Sequence, residues 1–82
     1  MDNHTLTVAF HAHKEGQTKF TRRMAIAIAR AAGQSPREIV QRLERLKLLR
    51  AGSWRWFVKN GGITKDHIAE AEADMRAEQG SI

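Results

Sequence analysis

Apolar and polar positions along this chain change period several times, and each change predicts an element. Residues 4–13 alternate Leu6, Val8, Phe10 and Ala12 with Thr5, Thr7, Ala9, His11 and His13. A period of two with β-branched residues predicts a half-buried strand. Residues 14–17 then read as a loop. From a cap at Thr18 or Thr21 to about Ala32, Phe20, Met24, Ile26, Ile28 and several alanines make a helix that is apolar on most sides, the buried element of the domain.

Gly33 and Gln34 form a short turn into the next helix. Ser35 suits its N-cap, Pro36 its first position, and Glu38 the third position of a capping box. Ile39, Leu43, Leu46 and Leu49, with Val40 on the flank, share one face of a helix over residues 36–50 that stops before Gly52. The opposite face carries Arg37, Gln41, Arg42, Arg45 and Lys47. Residues 53–60 predict a second strand, with Trp54, Trp56 and Val58 on one side and Arg55, Phe57 and Lys59 on the other. Asn60, Gly61 and Gly62 signal a turn. Thr64 caps a last helix to about Gln79, whose narrow apolar face is Ile68, Ala71 and Met75, and residues 80–82 make a frayed tail.

The fold expected from this order is α+β: strand, helix, helix, strand, helix, with the two strands paired. One domain spans residues 1–82, with a helical pair at 21–50, a strand at 53–59 and a final helix at 64–79. Eighty-two residues with 41 % apolar content support one modest core. The start of the sequence lacks the basic and apolar regions of a signal peptide, and no apolar run approaches a membrane span. A soluble, cytoplasmic protein is the expectation.

Charge changes the picture more than composition does. The formal net charge is +5, but between Lys19 and Lys59 eleven basic residues stand against Glu38 and Glu44 alone. The remainder of the chain is acidic, mostly in the last helix. A basic block in a small domain points to a polyanionic partner, against the plainer alternative of a solvated basic surface. Arg22 and Arg23 fall in the first turn of their helix, where the dipole disfavours cations unless an anion such as a phosphate is close.

Candidate chemistry is sparse. There is no Cys, hence no disulfide and no thiolate nucleophile, and no phosphate-cradling glycine motif is present. Asp66 and His67 are adjacent on a helix and do not make a dyad. His11 and His13 would project from one side of the first strand, but two ligands do not make a zinc site. No enzyme activity, metal or cofactor is expected.

The stretch AIARAAGQSPREIVQRLERLKLLRAGSWRWFV has an Ala-rich helix, a Gly turn, a Ser-capped second helix and a strand with alternating basic residues. It resembles the winged-helix DNA-binding domains of bacterial transcriptional regulators. That resemblance implies a small winged-helix-like domain whose helix 36–50 enters the major groove and whose following strand touches phosphates. It implies DNA contacts from Gln34, Ser35, Arg37, Gln41, Arg42, Arg45, Arg55 and Lys59, joined by Arg22 and Arg23 on charge grounds. Arg pairs bidentately with guanine and Gln with adenine. Double-stranded DNA is the expected partner, with a homodimer through the C-terminal helix. The alternatives are an adaptor or inhibitor docking its basic face on an acidic protein, or an RNA or single-strand binder stacking bases on Trp54 and Trp56.

Overall fold

A computed structural model describes residues 1–80, and its elements are α1 (Asn3–Lys14), α2 (Arg22–Ala32), α3 (Pro36–Arg45), α4 (Ser53–Lys59) and α5 (Lys65–Gly80). Among the described residues there is no strand. The α+β expectation is therefore corrected: both predicted strands are helices, no strand pair forms, and the wing of the winged-helix resemblance is absent. Of the expected tail, Ser81 and Ile82 lie outside the described residues. No described helix is long and apolar enough to cross a membrane.

The first strand prediction failed because its pattern carries two periods. Leu6 and Phe10 belong to the two-residue alternation, yet with Ala9 they also stand at the three- and four-residue spacing of a helix. The helix satisfies more of the chain. Leu6 and Phe10 are buried, whereas Val8, which a strand would have buried with them, stays 55 % exposed. Asp2 caps α1 by accepting the Thr5 amide at 2.7 Å. Winding the segment also separates His11 from His13 by about 200° around the helix axis, so they do not share a face.

The α2 and α3 expectations hold at their starts. Thr21 caps α2, and Gly33 closes it in the left-handed region at φ 68°, donating to the carbonyls of Ala29 and Arg30. Ser35 caps α3 with Pro36 in its first turn. The end of α3 differs: it stops at Arg45, five residues before the predicted limit. Lys47 takes φ 61°, and the Leu48 and Leu49 amides both return to the Leu43 carbonyl at 3.0 and 3.2 Å. This reversal brings Leu46, Leu48 and Leu49 back against the core instead of carrying them along a straight helix.

Two apolar clusters meet at α3. Ile39 and Leu43 pack with Leu6, Phe10, Ile28 and Ala29 from α1 and α2. Val40 packs on the other side with Ala25 and Phe57, joining α4 to the core. α5 lies along α2, with Ala71 buried and Ile68 and Met75 half-buried. Its narrow apolar face thus serves this chain's own core. Thr64 and His67 cap α5 reciprocally, with the Thr64 amide donating to His67 Nδ1 at 3.1 Å and the His67 amide to Thr64 Oγ1 at 3.2 Å.

Candidate nucleic-acid interface

α3 is buried through Ile39, Val40 and Leu43, which leaves two polar rows on its outer surface. Arg37, Gln41 and Arg45 follow one another at four-residue steps and form the first row, with Arg37 and Arg45 exposed and Gln41 half-buried. Glu38 and Arg42 form the second.

Members of the second row are tied down. Arg42 donates to Gln34 Oε1 at 2.8 Å and to Asn3 Oδ1 at 3.0 Å, and Gln34 Nε2 reaches Glu38 at 3.3 Å. This chain of polar groups fixes the α2–α3 turn against the start of α1. It also redirects Glu38, whose carboxylate the capping-box expectation placed on the Ser35 backbone. Ser35 Oγ accepts the Glu38 amide at 3.2 Å, the capping bond foreseen for it, and its hydroxyl proton remains available to an anion. Gln34 and Arg42, expected as base or phosphate contacts, are thus engaged within the chain.

The second predicted strand became α4 because both of its ends are held by residues distant in sequence. Gly52, at φ 92°, offers no side chain as an N-cap. Glu44 of α3 takes that place: its carboxylate accepts the Gly52 amide at 2.7 Å and the Trp54 amide at 3.2 Å. A carboxylate there also answers the positive end of the helix dipole. At the other end Arg22 donates from Nε to the Gly62 carbonyl at 2.9 Å and from its terminal nitrogen to the Asn60 carbonyl. Phe57 anchors the middle in the core. Local alternation of aromatic and basic residues gave no sign of these three restraints.

Winding residues 53–59 as a helix redistributes the side chains expected on a wing. Trp54 is half-buried, Phe57 is buried, and Trp56 is exposed. Arg55 and Lys59 are exposed one helical turn apart, so they still share a side. Between α3 and α4 lies an open groove of about 460 Å³ lined by Gln41, Glu44, Arg45, Gly52, Trp54 and Arg55. Its one carboxylate, Glu44, is engaged by the α4 amides. The groove therefore presents two arginines, an amide and an indole edge. Trp54 and Arg55 as neighbours of Gln41 and Arg45 is an arrangement that a β reading of residues 53–59 could not give.

Arg22 and Arg23 sit elsewhere. They border a cleft between α2 and α5 together with His67, Glu70 and Asp74. Arg22 completes α4 through the Asn60 and Gly62 carbonyls, and Glu70 and Asp74 line the same cleft as both arginines. Of the ten expected DNA contacts, the structure brings Gln41, Arg45 and Arg55 together on the α3–α4 groove, leaves Ser35, Arg37 and Lys59 exposed, commits Gln34, Arg42 and Arg22 to internal bonds, and sets Arg23 on the α2–α5 cleft. No protein-family model, curated protein or solved structure matches the chain.

Proposed function

We propose that this protein binds double-stranded DNA through α3 and α4, with Arg37, Gln41 and Arg45 directed to the major groove and Arg55 and Lys59 to the flanking phosphates. The observation that carries this reading is the row of Arg37, Gln41 and Arg45 on a capped helix, bordered by the Arg55 side of α4. At 1.5 Å per residue α3 extends about 15 Å, and a major groove about 12 Å wide admits a helix of this diameter. Arg and Gln supply the donor and acceptor sets that match guanine and adenine edges. The helical hairpin α2–α3 takes the place of a helix-turn-helix, and a short helix does the phosphate work that a wing would have done. Regulation of transcription by occupancy of a DNA site is the role that follows from such binding.

Fluorescence anisotropy of a labelled random duplex and of its single strand, titrated with the full chain across a salt series, tests this. The expected result is duplex preference with log affinity falling linearly in log salt. The two phosphate contacts of Arg55 and Lys59 give a slope of about −2. Preference for the single strand would transfer the proposal to base stacking on tryptophan. Absence of binding at low salt would reject nucleic acid as the partner.

A further inference from the structure

A second groove, of about 470 Å³, lies on another side of α4 from Arg55. Its floor is apolar, from Phe20, Leu49 and Phe57, and Trp56 forms a wall. Lys19 and Arg50 stand at its rim, and no carboxylate lines it. Trp56 is 59 % exposed although its ring meets Phe57 edge-on at 5.4 Å, so one face of a large indole stays in water beside an apolar floor. Burying such a ring in a partner's surface is among the larger contributions a single residue makes to association.

We infer that this groove docks an acidic, amphipathic segment of another protein, seating an apolar side chain against Trp56 with flanking carboxylates on Lys19 and Arg50. Charge complementarity selects the occupant: two cations frame an apolar pocket, and an apolar residue with Asp or Glu on both sides satisfies the pocket and its rim together. A nucleotide fits less well. Its base would need polar partners for its edges, and the Ser53 hydroxyl within the groove already donates to the Arg50 carbonyl at 2.5 Å. Ser53, Trp56 and Phe57 face this groove while Trp54 and Arg55 face the α3 side, so α4 separates the two surfaces. A duplex on one leaves the other open to a protein.

The test is selection of random twelve-residue displayed peptides on the full chain, with the winners synthesised and titrated. Binding is read from the anisotropy of the labelled peptide in every variant, and Trp56 emission is followed in Trp54→Phe, which leaves Trp56 as the single tryptophan. Enriched peptides are expected to carry one apolar anchor flanked by Asp or Glu, and to shift Trp56 emission to the blue. Their affinity should fall at least about tenfold in Trp56→Ala, as for a central aromatic anchor. It should fall again with salt and in the Lys19→Glu/Arg50→Glu double variant, with circular dichroism confirming that each variant is folded. Three results would overturn the inference: no enriched peptide, peptides whose binding ignores Trp56→Ala, or quenching of Trp56 by adenosine monophosphate without any acidic peptide being selected. A second copy of this chain as occupant would likewise overturn it, seen as a Trp56-dependent dimer in light scattering.

Discussion

Arg42 and Arg45 stand three residues apart on α3, and their surroundings give them different work. Arg42 is half-buried and bonded to Gln34 and Asn3, whereas Arg45 is exposed on the α3–α4 groove. Arg45→Ala is therefore expected to weaken duplex binding by about 1–3 kcal/mol and to relax sequence preference, with an unchanged melting temperature. Arg42→Ala is expected to cost about 1–2 kcal/mol of stability, because two charge-assisted bonds are lost and their acceptors are left to water. Parallel thermal melts and anisotropy titrations of the two variants separate these effects. The sequence alone treats both as outward arginines, since a helical wheel shows which residues leave the core but not which of them meets Asn3 from α1. Lys47 is a third case. It holds φ 61° without the freedom of glycine, and Lys47→Gly is expected to raise the melting temperature, by up to about 1 kcal/mol of stability.

α1 and α4 are the elements whose identity the chain conceals, and they conceal it for different reasons. In α1 the residues Leu6 and Phe10 satisfy both periods, and only the neighbours they bury against, Ile28, Ile39 and Leu43, decide between them. In α4 the β-branched and aromatic composition favours a strand, and Glu44 and Arg22 override it from outside the segment. α2, the start of α3 and α5 were legible because caps, a glycine turn and a sustained helical period agree with one another there. If α4 depends on its two external restraints, Glu44→Ala and Arg22→Ala should each destabilise the fold by about 1–3 kcal/mol and speed amide exchange throughout residues 53–59. Exchange confined to the mutated residue's own helix would contradict that dependence. The N-terminal end of α1 carries a pH dependence of its own. The Thr5 backbone amide bonded to Asp2 holds this carboxyl below its usual value. A depressed value means that the cap contributes above the ordinary carboxylate range and is lost as pH falls through the lowered value. The Thr5 amide resonance should follow that titration, and α1 should begin to fray from its first turn.

At the scale of the whole molecule, charge is sorted by element. The groove that holds Arg45 and Arg55 is lined by no residue of α5, whose Glu70 and Asp74 line a separate cleft with Arg22 and Arg23. This sorting was legible in the sequence as a basic block followed by an acidic helix, and so was the outward row of α3. What was not legible is that α4 would supply Trp54 and Arg55 to the same groove, or that Trp56 would face another. Those placements depend on the helical period of a segment that locally reads as β. In the proposed function, α3 and α4 together form the duplex-binding surface. The most direct measurement is a ¹⁵N-resolved NMR titration of the full chain with an unlabelled duplex at low salt. The largest shifts are expected on Arg37, Gln41, Arg45 and Arg55, with α5 unmoved. Shifts centred on α5 or on the α2–α5 cleft, or none anywhere, would contradict this assignment.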